Sequence, residues 1–445
     1  MLSGTSRSEG KTVTKVERNE FLRLQPIRLR ETALNTANGV SGQLSRGTVE
    51  HRSRPILSVL APTRYPWRFN SPRHSRHRIE TRSFAPMNYI SPKLEGVTVL
   101  SPLPLRKFDI VHAFNRIPLG TTRFVMSFES HMPRGFGMEN STLYKFMMRQ
   151  LLSDRCVGIG AISEHAKRIF LLSHKNNPKF DRLEQKLFLR YPNMIIEDRA
   201  DIYRDDSQYP IRVVFVGNHF ARKGGCVGVR MAELALEQGI PLEVDIISTI
   251  EVGAASWTDP LQPGYFDRYR KLLSLPNVRH LQNIPNAQVL EILRNAHFSL
   301  LPTFCDTFGY SVIESEANYV PVIGTAQGAL PEFIKHQKNG VLLPMETSDI
   351  GEWKHIADDR RKPEFAQVHA REVERLAQQS LSEIVTIMED QNRYKAMRQA
   401  AYATAKSMFS SKDATRFWDD YYVDAVENYR AGRSATTFSK QSYLG

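Results

Sequence analysis

The chain has 445 residues, enough for two domains with extensions, and its hydrophobic content of 41% is typical of a globular protein. No run of about 18 apolar residues predicts a membrane-spanning helix, and no apolar N-terminal core predicts a signal peptide. Three widely spaced cysteines, Cys156, Cys226 and Cys305, indicate a reducing compartment and argue against a cysteine metal cluster. We therefore expect a cytoplasmic protein.

The formal net charge of +13 is concentrated near the N-terminus, with +3 in residues 1–50 and +7 in residues 51–90. Aromatic and arginine residues alternate between 64 and 78, which is compatible with contact to anionic lipid or phosphate. Peripheral contact with the inner face of a membrane is therefore left open. Nucleic-acid binding is not expected, because no lysine-rich helix and no DNA- or RNA-binding motif is present.

Residues 1–53 are polar and basic with little apolar periodicity, and we expect a disordered extension. The first domain, 54–205, is predicted to have strands at 56–61, 96–100, 110–114, 123–127 and 157–162. A long loop rich in Pro, Arg and His separates the first two strands. Amphipathic helices are predicted at 142–152 and 163–172. Strands that alternate with helices indicate a parallel sheet with crossovers.

The charged segment 197–210 has no apolar periodicity and ends in proline, which is typical of a linker. A second domain, 206–408, follows it. Strands are predicted near 212–216, 243–247, 278–281, 298–301, 321–323 and 341–343, with helices between them and from about 365 to 408. The last segment, 409–445, contains an amphipathic helix over about 415–429. The fold class is therefore α/β, with two Rossmann-like parallel-sheet domains.

Two carboxylates stand eight residues apart in the second domain. Asp306 follows a short buried strand, and Glu314 lies in the opening turns of the next helix. In open α/β sheets, ligands bind in this strand-to-helix crevice. The alternative is structural: Asp306 caps the helix, and Glu314 is a solvated acid of its first turns.

A second candidate element covers residues 213–225, where a buried strand ends in Gly217 and two cations, Arg222 and Lys223, precede a helix. Glycines let backbone N–H groups approach a phosphate closely, and lysine adds a compact positive charge. The alternative is an ordinary βα turn with cations on its surface.

The block 302–343 resembles the donor-site signature of retaining GT-B glycosyltransferases of the glycosyltransferase family 4 type. That signature is a pair of acids at E-x7-E spacing, then P-V-I, G-G-L-P-E and N-G-L-L. In this chain Asp306 replaces the first Glu and Ala329 replaces the second Gly. The resemblance implies two domains that face each other across a cleft, with the C-terminal helix crossing back to the first domain.

The resemblance also implies an activity: transfer of a sugar, a hexose, from a nucleotide diphosphate sugar to a hydroxyl of a saccharide or lipid-linked saccharide, with retention of anomeric configuration. No cofactor besides the donor substrate and no metal would be needed. Three rivals remain open: another GT-B enzyme such as a nucleotide-sugar epimerase, a non-catalytic donor-binding relative, and a basic membrane- or nucleic-acid-binding protein. A hydrolase-like acid/base pair formed by the two carboxylates also remains open.

Residue roles follow from the resemblance. Asp306 would contact hydroxyls of the donor sugar, Glu314 the ribose, and Lys223, after Gly217, the diphosphate. Asn218 stands where the family has an arginine, so that either Arg222 or His219 would compensate or the diphosphate would be held less tightly. The backbone N–H groups that face the diphosphate would come from one short stretch, Phe308, Gly309, Tyr310 and Ser311.

The first domain would supply the acceptor side of the cleft. Glu129 and His131 follow a predicted strand, at a position where family members often place a polar residue that faces the donor sugar. Either side chain could orient the acceptor hydroxyl or act on its proton. The alternative is a loop with no role in catalysis.

Overall fold

The computed structural model describes residues 55–62, 70–91, 94–100, 107–120, 123–135, 137–197 and 209–432. The predicted extension at 1–53, most of the predicted linker and the tail after 432 lie outside the described residues. The domain boundaries drawn from the sequence therefore stay predictions.

The first lobe comprises the described residues 55–197 and contains two sheets. Its strands are β1 (Ser58–Pro62), β2 (Arg78–Arg82), β3 (Phe84–Pro86), β4 (Val97–Leu100), β5 (Ile110–Phe114), β6 (Ile117–Leu119), β7 (Phe124–Phe128), β8 (Cys156–Ala161) and β9 (Leu187–Leu189). Its helices are α1 (Thr142–Leu152), α2 (Glu164–His174) and α3 (Phe180–Lys186), with a 3-10 turn at Met87–Tyr89.

The main sheet of this lobe is parallel and has the order β2-β1-β5-β7-β8-β9. Every residue of β7 and β8 is buried, because helices cover both faces of a parallel sheet. The predicted strands at 56–61, 110–114, 123–127 and 157–162 are confirmed in this sheet.

Two expectations for the first lobe are wrong. The long loop predicted after β1 contains β2, which pairs in parallel with β1 at the sheet edge, and β3. The strand predicted at 96–100 is β4, but it lies in a separate sheet of order β3-β4-β6, antiparallel to β3. The pattern missed β2 because most of its side chains are polar and partly exposed, as edge strands permit.

The second lobe, residues 209–408, repeats the plan. Its strands are β10 (Ile211–Val216), β11 (Leu242–Ile247), β12 (Val278–Leu281), β13 (Phe298–Leu301), β14 (Val322–Thr325) and β15 (Gly340–Leu343). Its helices are α4 (Gly225–Glu237), α5 (Asp267–Leu272), α6 (Asn286–Arg294), α7 (Tyr310–Glu316), α8 (Leu330–Phe333), α9 (Pro363–Glu389) and α10 (Gln391–Met408), with a 3-10 turn at Gly253–Ala255. All six predicted strands are confirmed in one parallel sheet of order β12-β11-β10-β13-β14-β15.

The last described helix, α11 (Ser411–Arg430), packs on the first lobe and confirms the predicted crossing. Trp418, Tyr421 and Tyr422 form a buried cluster with apolar side chains of β1, β5, β7 and β8. The Tyr421 hydroxyl donates a hydrogen bond of 3.3 Å to the carbonyl oxygen of Val157. The chain therefore leaves the second lobe and completes the core of the first.

Candidate active site

The second sheet reverses its strand order between β10 and β13, and the loops after these strands carry Lys223 and Asp306. Loops that diverge at such a reversal leave a crevice at the carboxyl ends of the strands. Lys223 Nζ lies 2.9 Å from Asp306 Oδ2, and both side chains are largely buried. The structure thus brings these two predicted residues together in the crevice.

The loop that carries Lys223 depends on close backbone approach. Gly224 has φ +92°, and a Cβ there would lie 2.4 Å from the carbonyl oxygen of Pro302, so that a larger residue would push the loop away from β13. A Cβ at Gly217 would lie 2.5 Å from Lys223 Cδ. The lysine side chain therefore lies across a bare backbone segment and reaches Asp306.

Opposing effects act on the Asp306 carboxyl group. Burial alone would raise its pKa, but the positive charges of Lys223 and Arg222 and a hydrogen bond from the Phe308 N–H bring the pKa below its ordinary value. Asp306 is therefore an ionised carboxylate near neutral pH. An ionised carboxylate accepts hydrogen bonds from sugar hydroxyls.

Helix α7 begins at the predicted place and presents Glu314 in its second turn. Gly309 precedes the helix at φ +90°, with Leu330 and Leu301 only 3.0 and 3.1 Å from the position of a Cβ. The Phe308 side chain is fully buried and packs on Phe333, so that only its backbone is available to a ligand.

Glu314 is 8% exposed and accepts a hydrogen bond of 3.3 Å from Asn286 Nδ2. Burial raises the pKa of Glu314, while this hydrogen bond and the charge of Lys223 oppose the rise. Tyr310 and Ser311, in the first turn of α7, are partly exposed. The hydroxyl of Tyr310 accepts a hydrogen bond of 3.3 Å from Asn70 Nδ2 of the first lobe.

Glu129 connects the first lobe to this site. Its Oε1 accepts hydrogen bonds from Arg134 Nη2 at 2.6 Å and Asn115 Nδ2 at 2.9 Å. Thr307 Oγ1, in the residue next to Asp306, donates to Glu129 Oε2 over 3.4 Å. The carboxyl ends of the two sheets therefore face each other across a cleft.

The sequence reasoning missed Asn115, Arg134 and Thr307. Asn115 had a detectable signal, because a polar residue directly after a buried strand lies at the ligand-binding edge of the sheet.

His131 is partly exposed and lies near Arg134 and Glu139. Burial, and then the charge of Arg134, lower its pKa below the ordinary value of 6.5, so the ring is neutral at pH 7. It lies in the loop after β7, as the sequence predicted, and its role on the acceptor side stays a prediction.

Two of the residues near Asn218, Arg222 and His219, have partners of their own. Arg222 is 7% exposed, donates from Nη1 to the Cys305 carbonyl oxygen at 2.6 Å, and lies 4.9 Å from the ring centre of Trp257. His219 Nδ1 lies 3.2 Å from Glu251 Oε2. Asn218 is exposed, which leaves space for a longer side chain at this position.

The described part of the basic segment 51–90 makes contacts inside the protein. Arg73 Nη2 donates to the Asn193 carbonyl oxygen at 3.0 Å, and the Arg76 backbone N–H donates to Asp419 at 3.0 Å. In the parts of the chain that the structure describes, no helix is long and apolar enough to cross a bilayer, and no three His, Cys, Asp or Glu side chains are grouped as metal ligands.

Comparison with known structures identifies the architecture. A glycosyltransferase from Rickettsia africae aligns over 84% of this chain and 99% of its own, with a TM-score of 0.52 and 14% identity. HepE of Anabaena in complex with UDP-glucose aligns over 83% of this chain and 100% of its own, with a TM-score of 0.50 and 12% identity. The fold is GT-B.

Sequence comparison gives a partial match. Residues 200–355 match the family model described as Glycosyl transferases group 1. A D-inositol 3-phosphate glycosyltransferase of Thermobifida fusca is 27% identical over 134 residues, which are 30% of this chain and 31% of that relative. The match thus spans about a third of the curated relative's length.

Proposed function

We propose that this protein is a glycosyltransferase that moves a hexose from a nucleoside diphosphate sugar to an acceptor hydroxyl with retention of configuration. The observation that carries the proposal is the ion pair of Lys223 and Asp306 at the strand-order reversal, opposite Glu129 of the first lobe. The match of residues 200–355 to the group 1 model and the UDP-glucose complex of HepE support a nucleotide sugar as the donor.

Lys223 stabilises the leaving group. When the bond from the anomeric carbon to the phosphate oxygen breaks, negative charge builds on the diphosphate, and a fixed cation binds that charge more strongly than the ground state. Because diphosphate and sugar are joined through this bond, a lysine 2.9 Å from a sugar-binding carboxylate lies beside the breaking bond. This assignment makes Lys223 the main electrostatic catalyst.

Asp306 and Glu314 bind two different parts of the donor. Asp306 accepts hydrogen bonds from hydroxyls of the transferred sugar, and Glu314 accepts them from the ribose hydroxyls. Asn286 holds one oxygen of Glu314, so that the carboxylate is oriented before the ligand arrives. Such preorganisation lowers the entropic cost of binding.

Glu129 orients the acceptor. Arg134 and Asn115 occupy its Oε1, and Oε2 points to the second lobe, where a hydroxyl of the acceptor can donate to it. Retention requires the acceptor oxygen to bond the anomeric carbon from the side on which the diphosphate leaves. The departing phosphate oxygen is then the nearest base and takes the hydroxyl proton. His131, neutral and in the same loop, would contact the acceptor.

The decisive experiment is a screen of nucleotide sugars for thermal stabilisation of the purified protein, followed by transfer assays with the stabilising donor. We expect one donor to raise the Tm, and NMR of the product to show the donor's anomeric configuration. Release of an epimerised sugar nucleotide without any acceptor would identify an epimerase. Stabilisation without turnover over a panel of saccharide and glycolipid acceptors would favour a non-catalytic binding protein.

Metal dependence is a separate arm of that experiment. We expect activity to survive a chelator, because Lys223 supplies the positive charge at the diphosphate. Loss of activity with EDTA and recovery with magnesium would contradict this part of the proposal.

A further inference from the structure

Glu332 lies in the second lobe but binds groups of the first. Its Oε2 accepts hydrogen bonds from the Glu164 N–H at 2.8 Å and the Tyr191 hydroxyl at 3.0 Å. Its Oε1 accepts one from the His165 N–H at 2.7 Å. We call this carboxylate and its three donors the Glu332 bridge. The donor-site proposal gives Glu332 no role.

The bridge caps the N-terminus of α2. The first four N–H groups of a helix, counted from its N-cap residue, have no acceptor inside the helix. The N-cap residue of α2 is Ser163, and its Oγ accepts a hydrogen bond from the Ala166 N–H at 2.9 Å. Two more of these N–H groups, those of Glu164 and His165, are bound by Glu332. An anion at this position also interacts favourably with the helix dipole.

A second contact joins the same helix to the second lobe. Arg168 Nη2 donates to the Ile350 carbonyl oxygen at 2.8 Å, and a Cβ at Gly351 would lie 2.4 Å from this nitrogen. The Gly351 carbonyl oxygen accepts a hydrogen bond of 2.8 Å from the Gly328 N–H, and a Cβ at Gly328 would lie 2.8 Å from the Asp306 carbonyl oxygen. Helix α2 is thereby connected to the backbone at Asp306 by two hydrogen bonds and by the close approach of Gly328 to Asp306.

We propose that Glu332 is a positioning residue, which holds α2 on the second lobe so that Glu129 stands opposite Thr307 and Asp306. Glu129 and Asp306 are on different lobes, so their relative placement depends on contacts across the cleft. The bridge is a directional contact of this kind, with three hydrogen bonds to one carboxylate. This role in catalysis rests on the proposed function, whereas the bridge itself does not.

The direct test is amide hydrogen exchange in Glu332→Ala, Glu332→Gln and Tyr191→Phe, with Glu364→Gln as the control at an exposed acid of α9. Glutamine retains the packing but has a single acceptor oxygen, so that one N–H loses its partner. In Glu332→Ala we expect exchange at both Glu164 and His165 to become at least about tenfold faster, in Glu332→Gln we expect this at one of the two, and in the control at neither. Unchanged exchange in Glu332→Gln would overturn the bridge, even if Glu332→Ala does not fold.

The kinetic test separates positioning from general damage. In Glu332→Gln we expect kcat to fall about 10- to 100-fold, with donor binding within about twofold of the original, because small misplacement of reacting groups costs this much. Tyr191→Phe should show a smaller loss of the same kind. Faster exchange with unchanged kcat would overturn the positioning role. The exchange experiment is carried out without a sugar. If no donor binds, the proposed function is therefore refuted, but the Glu332 bridge is not.

Discussion

Lys223 Nζ and Asp306 Oδ2 lie 2.9 Å apart at the point where the second sheet reverses its strand order. The lysine comes from the loop after β10 and the aspartate from the loop after β13, so that the pair forms only in the folded sheet. The same cation lowers the pKa of Asp306 against the effect of burial. In the proposed mechanism the same side chain would also stabilise the leaving diphosphate.

Lys223→Met should therefore reduce kcat by about 100-fold, because charge stabilisation of the leaving diphosphate is lost. Methionine retains most of the aliphatic side chain over Gly217, so the fold should persist. Turnover with the stabilising donor is the measurement, and Lys338→Met, at an exposed lysine of the same lobe, is the control. If Lys223→Met retains at least a third of the original kcat, Lys223 does not contribute to catalysis.

Glu314→Gln should weaken binding of the nucleoside diphosphate by about tenfold, since a hydrogen bond to a charged group contributes about 1.5–3 kcal/mol. The sharper measurement uses a 2′-deoxy analogue in calorimetry. The unaltered protein should bind the analogue more weakly than the normal nucleoside diphosphate. The Glu314→Gln variant should bind the two ligands with nearly the same affinity. Glu291→Gln, on the neighbouring helix α6, is the control. Equal discrimination against the analogue by variant and original would show that Glu314 does not bind the ribose.

Asn218→Arg should tighten nucleoside diphosphate binding by about tenfold. Asn218 is exposed, while Arg222 is bound to Cys305 and Trp257, so that a new arginine would add a cation that the site lacks. The gain should shrink with added salt. Gln238→Arg adds the same charge at the opposite end of α4 and should leave binding unchanged. No gain in Asn218→Arg at low salt would mean that the diphosphate lies elsewhere.

His112 should make stability depend on pH. It is fully buried between the Ser127 and Tyr422 hydroxyls, and burial lowers its pKa from 6.5 to about 3. As the pH falls below 6.5, this histidine takes up a proton in the unfolded chain but not in the folded one. The contribution of neutral His112 to the free energy of unfolding is therefore complete above pH 6.5 and decreases as the pH falls. The loss amounts to about 2 kcal/mol at pH 5.

Burial raises the pKa values of the Glu314 and Glu332 carboxyl groups, and these shifts act on stability in the opposite direction. The difference between His112→Gln and the original protein isolates the histidine. Between pH 7 and 5 the free energy of unfolding should decrease by about 2 kcal/mol less in His112→Gln than in the original protein. The control His74→Gln should show the same decrease as the original protein. A proton NMR signal of His112 that titrates above pH 5 in the folded protein would contradict the prediction.

The fold was most predictable where strands are buried on both faces. All six strands of the second lobe were found from the sequence, and most of them are short apolar runs between turns; the exception is the edge strand β12, which has no buried residue. The misses are β2, which is polar and lies at an edge, and the three-residue strands β3, β6 and β9, which are too short to show a period.

The site was predictable lobe by lobe. The spacing of Lys223, Asp306 and Glu314 after strands placed them at one edge of the second sheet, and the structure brings them there. The contacts of Glu129 with Thr307 and of Glu332 with Glu164 could not be predicted, because they depend on how the sheets of the two lobes meet. Local sequence patterns carry no information on that relationship.

Helix α11 has a consequence for how the protein is made. The apolar face of β1, β5, β7 and β8 that it covers leaves the ribosome before the whole second lobe, and α11 leaves after it. Until then Val59, Ile110, Val125 and Val157 lack their cover, and nascent chains with such exposed surface are prone to aggregate. The core of the first lobe can therefore be completed only after synthesis has passed residue 430.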